Sequence, residues 1–273
     1  NFPFSTTGDN GEHIWIVSAP SHRFDIAIEA DLIEEISRVY GYNNLPVRIP
    51  SASLSMLPRS ETDLSLNRIR HQLVSRGWFE AITYSFVDAG LQGQLDTTQE
   101  PIELANPLSS DMSVMRTTIW TGLLNSLIYN LNRQQDQVRL FETGLCFSQA
   151  PNQSSLTFDD IDQVRKLAGV ACGRRESENW ANSSEVIDFY DIKGDLESVL
   201  ALSGEPEAFV ISADKHPALH PGQSASIEKY GENVGFIGLL DPRIHQSVDI
   251  RYPIFLFEIK TDIIISKSLA EHT

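Results

Sequence analysis

Residues 13–20, HIWIVSAP, hold a short apolar run that Pro20 stops, which predicts a strand. Ile28, Leu32, Ile33, Ile36, Val39 and Tyr40 then recur at helical spacing, and Gly41 stands where a glycine commonly ends a helix. LPVRIPSASLSMLPRS, residues 45–60, holds three prolines and four serines and follows neither period, so it reads as an extended linker and the best domain boundary. Beyond it, Ser60 and Asp63 make an imperfect capping box for a helix with Leu64, Ile69, Leu73 and Val74 on its apolar side, closed by Gly77. AITYSFVD (81–88) alternates like a strand, and IELANPLSSDMS (102–113) reads as a strand followed by a turn-rich loop. MRTTIWTGLLNSLIYNLN (115–132) has a helical period, VRLFETGLCFS (138–148) is a strand, and SQAPNQSSLTFDD (148–160) is a polar loop. KLAGVACG (166–173) is a short, almost wholly apolar strand. DFYDIKGDLESVLALSG (188–204) is a helix capped by Asp188 and stopped by Gly204. SASIEKYGENVGFIGLLD (224–241) predicts a hairpin around Gly231, Glu232 and Asn233, and PIFLFEIK (253–260) a last core strand. Helices alternating with hairpins, and strands that mix alternation with apolar runs, predict an α+β fold with a mostly antiparallel sheet flanked by helices.

The totals narrow the function. A chain of 273 residues with 41% hydrophobic content has room for one or two cored domains. A formal charge of −16 repels phosphate backbones over most of the surface and argues against a broad electrostatic grip on nucleic acid. The two cysteines, Cys146 and Cys172, make neither a disulfide framework nor a zinc site, and two buried thiols in a reducing, cytoplasmic setting are expected. No apolar run approaches the ~20 residues needed to span a bilayer. The first residue is Asn1 rather than Met, so the chain reads as an excised piece.

The sharpest chemical candidate is HRFDIAIEADLIEEI, residues 22–36. On a helix Asp31 faces Glu34 and Glu35 at i+3 and i+4, with Asp25 just before, and like charges so spaced repel unless a cation offsets them. Oxygen donors without His or Cys suit Mg²⁺ or Ca²⁺ rather than zinc, and the spacing is not that of a Ca²⁺ loop. Spacing alone favours a solvated acidic face that includes Glu29, and Arg23 and Arg38 stand close enough to pair with the acids instead. The well-formed apolar face implies a helix held rigidly. His216 and His220 are four apart, but Pro217 and Pro221 point to a polar turn. No GxSxG elbow or Walker loop occurs. Gly235 and Gly238 read as strand glycines at close backbone approaches, and Trp15, Trp78, Trp120 and Trp180 as core or interface anchors.

Several runs taken together resemble one family. PSHRFDIAIEADLIEEISRVYGYNNLP is similar to the end of the B5 domain of the bacterial phenylalanyl-tRNA synthetase β subunit. NPLSSDMSVMRTTIWTGLLNSL, VRLFETGLCF, DFYDIKGDLESVL, LHPGQSASI, GFIGLLDPRI and FLFEI resemble, in the family's order, the catalytic-like module that follows it. The resemblance implies a partial, winged-helix-like B5 domain over residues 1–46, a linker over 47–59, and a degenerate class II aminoacyl-tRNA synthetase-like module over 60–273. It implies that Asp25, Asp31, Glu34 and Glu35 bind an Mg²⁺ shared with an α subunit, within a cytoplasmic α2β2 enzyme that joins phenylalanine to tRNA(Phe) with ATP. Active class II cores place arginines around the ATP phosphates. In RLFETG, Arg139 and Glu142 depart from that spacing, and in GFIGLLDPRI, Arg243 falls outside the glycine-rich strand. No catalytic residue is therefore assigned, and the module is expected to be inactive by itself and to brace α. Residues 106–131, with Met112, Met115, Ile119 and Trp120, either meet α or fill the module's own core. Two rivals are a nucleic-acid-binding winged-helix module, which the acidic helix opposes, and a stand-alone carboxylate metal enzyme.

Overall fold

The computed structural model describes residues 4–7, 14–55, 64–149, 161–177, 179–182, 184–248 and 250–265. The chain divides into two compact units, Asn1–Pro58 and Arg59–Thr273.

In the smaller unit, β1 (Phe4–Thr7) pairs antiparallel with β2 (Ile14–Val17) in the register Phe4↔Val17 to Thr7↔Ile14. Helix α1 (Glu29–Tyr40) follows, and Gly41 at φ 98° receives its end, donating its N–H to Ser37 O at 2.9 Å. Residues 45–55 carry no helix or strand, as the proline and serine content predicts. The expectation that the apolar face of α1 is held by packing is not met within this unit. None of its residues is buried, and Ile28, Ile33, Ile36, Val39 and Tyr40 are exposed.

The larger unit is built on a seven-stranded sheet of order β3-β6-β7-β11-β10-β9-β8. These strands are β3 (Phe79–Glu80), β6 (Gln137–Gln149), β7 (Ile161–Gly173), β8 (Phe209–Ala213), β9 (Leu219–Lys229), β10 (Glu232–Leu240) and β11 (Ile254–Lys260). All neighbours are antiparallel except β3 and β6. A second small ladder joins β4 (Phe86–Val87) to β5 (Val114–Met115). On β7, Leu167 and Ala171 enter one core while Ala168, Val170 and Cys172 enter the other; on β11, Phe255, Phe257 and Ile259 oppose Ile254 and Leu256. The first core is closed by α2 (Leu66–Ser75), α5 (Phe189–Leu200) and α7 (Asp262–Ile265). The second is closed by α3 (Ala89–Leu95), α4 (Trp120–Leu131) and α6 (Pro242–Ser247). Helices on both faces explain why central strands of an antiparallel sheet read as continuous apolar runs.

Glycines mark the closest approaches. A Cβ at Gly169 would lie 2.2 Å from the Phe257 ring and 2.8 Å from the Trp78 ring, the pair that packs edge-on at 5.4 Å in the first core. A Cβ at Gly235 would lie 2.1 Å from Glu258 O, so the reading of that residue as a strand glycine at a close backbone contact holds. The β9–β10 turn is formed by Tyr230 and Gly231 at φ 53° and 82°, the two-residue turn with both φ positive that hairpins favour.

Several boundaries differ from expectation. Helix α2 begins at Leu66 after Ser65, and the capping box placed on Ser60 and Asp63 lies outside the described residues, as does most of the 148–160 loop. Met115 belongs to β5 rather than to α4, because residues 114 and 115 pair with β4. Residues 102–113 hold one isolated bridge, Glu103 to Val114, and a short 3-10 turn in place of a strand. The apolar run at 166–173 is the inner end of a 13-residue strand whose outer half is polar. Helices α3 and α6 and strand β8 were not foreseen. Asp188 caps α5 as expected, accepting from Tyr190 N at 2.8 Å and Asp191 N at 3.0 Å.

Candidate functional site

The four carboxylates lie at the entrance and along the first turns of α1. Asp31 turns back toward the helix start, where its Oδ2 accepts from the backbone N–H of Ala27 at 2.8 Å and Ile28 at 2.9 Å. Those two bonds hold its carboxyl below the ordinary range. Asp25 and Glu35 are brought together by Arg23, whose Nη2 lies 2.7 Å from Asp25 Oδ2 and 3.0 Å from Glu35 Oε1. Arg38 adds a contact of 2.7 Å to Glu35 from three residues further along the helix. The hydrogen bond from Arg23 lowers Asp25 to about 2. Bonds from Arg38 and then Arg23 lower Glu35 to about 2. Glu34 is exposed and makes no ion pair among the described residues.

The pairing by arginines that the sequence left open is thus realised. The donor set suits a hard cation in kind, being all carboxylate oxygen, and both bonds to Asp31 fall on Oδ2. Among the described residues no three His, Cys, Asp or Glu side chains converge on one point, so a cation here needs donors from beyond the described residues or from water.

In the larger unit, the two arginines weighed against an ATP site are engaged elsewhere. Arg139 donates from Nη2 to Arg175 O at 2.7 Å and lies 3.8 Å from Asp195, the carboxylate that also receives Arg76 at 2.6 Å and Trp78 Nε1 at 2.8 Å. Arg243 folds back on Asp241 with contacts of 2.9 and 3.0 Å, and its side chain is exposed. Glu142 is buried and meets Arg116 at 2.7 Å.

Three polar clusters on the second-core side escaped the sequence reading, because their members lie far apart in the chain. Arg116 and Glu142 together clasp Thr83: Glu142 Oε2 accepts from Thr83 Oγ1 at 2.7 Å, and Arg116 Nη1 donates to the same hydroxyl at 3.1 Å. Lys166 donates to Glu258 at 2.7 Å and to Thr117 O at 2.9 Å. Glu258 in turn receives Thr118 Oγ1 and Ile119 N, both at 2.8 Å. Asp96 accepts from Thr117 and Thr98. Burial would push its carboxyl up, but these hydroxyl bonds outweigh that and hold it down. His216 opens the expected turn, with Leu219 N–H bonding His216 O at 2.9 Å, but its ring is held against those of Trp120 and Phe236 at 5.2 and 4.7 Å, and burial lowers its pKa. Asp96, Lys166, His216 and Glu258 line a cleft of about 150 Å³. Ile119 and Trp120 are buried in the unit's own core, which decides half of the question left open for residues 106–131. Trp78 is likewise a core residue, whereas Trp15 and Trp180 are exposed.

Comparison with known proteins finds two family matches along the chain. The family profile of the tRNA synthetase B5 domain matches residues 4–42, and that of the phenylalanyl tRNA synthetase beta chain CLM domain matches residues 45–261. The phenylalanine–tRNA ligase beta subunit of Pseudomonas putida is 50% identical over 254 residues, covering 93% of this chain and 31% of the relative. That of Hahella chejuensis is 48% identical over 245 residues, covering 90% and 30%. That of Colwellia psychrerythraea is 44% identical over 272 residues, covering 100% and 33%. The chain spans about a third of the length of these curated relatives.

Proposed function

The chain belongs to the phenylalanyl-tRNA synthetase β-chain family, and from that premise we propose that it is the bracing part of a β subunit in a cytoplasmic α2β2 enzyme that joins phenylalanine to tRNA(Phe) with ATP. In this reading residues 1–46 are part of a winged-helix-like B5 domain, 47–59 a linker, and 60–273 a class II-like module that carries no active site. The observation that carries the proposal is the state of the sheet. Helices cover both faces, and Arg139 and Arg243 are bound to their own chain. A developing phosphate charge would find no free arginine of that pair poised to meet it.

Asp25, Asp31, Glu34 and Glu35 supply oxygen donors to an Mg²⁺ that a neighbouring α subunit completes. Mg²⁺ keeps several waters and takes one or two protein carboxylates, so a partial set in one chain suffices. Bound there, the ion would tie the two subunits together electrostatically. Arg23 and Arg38 fix Asp25 and Glu35 in place.

Co-expression with α tests both parts. The full-length β chain is expected to co-purify with α and to make no adenylate without it. Asp31→Ala and Glu35→Ala are expected to weaken a complex that EDTA also weakens. Assembly of both variants as firmly as the parent, with or without EDTA, would remove the shared metal. Adenylate formed by β alone would remove the bracing role.

A further inference from the structure

Residues 214–218 carry the chain from β8 to β9, and His216 stands at their centre. The segment is tied down at both ends. Asp214 N–H bonds Ser224 O at 3.2 Å, Leu219 N–H bonds His216 O at 2.9 Å, and Asp241 N–H bonds Ala218 O at 2.8 Å. Pro217 has no N–H to give, so the next donor is Ala218 N–H, which bonds His216 Nδ1 at 3.2 Å. Ala218 is fully buried, and a buried N–H needs an acceptor. That bond requires an unprotonated Nδ1, which assigns a neutral ring with its proton on Nε2. The ring is fixed between Trp120 of α4, at 5.2 Å and nearly perpendicular, and Phe236 of β10 at 4.7 Å.

Charged groups surround this ring. Asp96, just beyond α3, Glu258 on β11 and Asp214 on its own segment favour a proton on it, and Lys166 on β7 disfavours one. Lys260, at the same cleft, pairs with Glu232 at 3.3 Å. The carboxylates of the cleft are already engaged. Asp96 accepts from Thr98 and Thr117, and Glu258 from Lys166, Thr118 Oγ1 and Ile119 N. Burial is therefore the largest influence, and it holds the ring's pKa below the usual 6.5. A proton on Nδ1 would set a donor against the Ala218 N–H, leave that N–H without an acceptor, and place a charge in the slot between Trp120 and Phe236. Outward movement of residues 214–218 relieves all three at once.

We infer that His216 is a pH-sensitive latch: its neutral ring holds residues 214–218 over the cleft of Asp96, Lys166 and Glu258, and taking up a proton releases the segment and admits water to that cleft. Release also exposes the Lys166–Glu258 pair, which fixes Thr117 O and Ile119 N at the start of α4. The latch is closed above pH 6.5 and is lost as pH falls below it, because the released ring binds the proton more readily than the held one. It depends neither on α nor on the bracing role, so the two stand or fall separately. Amide hydrogen exchange of the full-length β chain, corrected for the intrinsic rate at each pH, is followed over residues 213–219 at about pH 7.5 and about pH 5.5, with 167–172 of β7 as the core reference. Protection over 213–219 is expected to fall several-fold on acidification while 167–172 is unchanged. The fall is bounded at about tenfold, because the released ring titrates at the ordinary value. His216→Asn puts an amide oxygen that does not titrate where Nδ1 stood, and the acid-dependent loss should vanish. His216→Phe keeps a ring between Trp120 and Phe236 without the acceptor, and should be less protected to the same degree at both pH values. The dependence on pH decides the matter, so a variant that is looser throughout still tests the latch. Equal protection of the parent at both pH values would overturn it. So would an asparagine variant that loses protection as steeply as the parent, or a loss shared by 167–172, which is global acid unfolding.

Discussion

Replacing Glu142 by alanine isolates what the buried clamp contributes. Arg116 and Glu142 have side chains only 3% and 4% exposed, and they meet at 2.7 Å. The substitution leaves the Arg116 guanidinium in place, still bonded to Leu145 O at 2.9 Å but without its counter-charge, and removes the acceptor for Thr83 N–H and Oγ1. Orphaning one member of a buried pair costs about 3–5 kcal/mol. For a unit of this size each kcal/mol moves Tm by about 2–4 °C, so the expected fall is about 6–20 °C. The assay is thermal and denaturant unfolding of parent, Glu142→Ala, Arg116→Met and the double variant Arg116→Met/Glu142→Met. Two methionines remove both charges and keep the volume, so the double variant should lose less than either single substitution. A Glu142→Ala cost under about 1 kcal/mol, or a double variant as unstable as the sum of the singles, would refute the clamp.

Two further expectations concern titration. Asp25 and Glu35 are held at about 2 from ordinary values of 3.8 and 4.5, so the stabilisation from the Arg38 and Arg23 bridges is present above pH 4.5 and is lost as pH falls toward 2. Carboxyl NMR should give midpoints near about 2, and midpoints at the ordinary values would mean the bridges open in solution. Burial pushes Cys146 and Cys172 up to about 12, so neither thiol should react with a disulfide reagent in the native chain at mildly alkaline pH, while both should react once it is unfolded. Rapid labelling of the folded chain would contradict their placement in the core.

Local chemistry made much of this protein legible from its residues alone. The helix ending at Gly41, the Asp188 cap, the β9–β10 hairpin and the core strands β6, β7 and β11 each follow from a period, a cap or a turn contained within a few consecutive residues. So do the α+β class and the acidic run of α1. The roles of those acids were not legible: Asp25 and Glu35 are ten apart and meet only because Arg23 reaches both. Helix α3 was missed because AGLQGQL, with two glycines in seven residues, has weak helical propensity and is held by the Asp88 cap and by Leu95 entering the second core. AITYSF carries a sound period-2 signal, but periodicity cannot say which face is inside. That was decided by Glu142, fifty-nine residues from Thr83, and by Arg116, thirty-three residues away. Alternation, caps and turns act between neighbours along the chain, whereas burial of a charge pair depends on which distant segments the sheet brings together. Sequence therefore settled the elements, and tertiary structure settled which way they point.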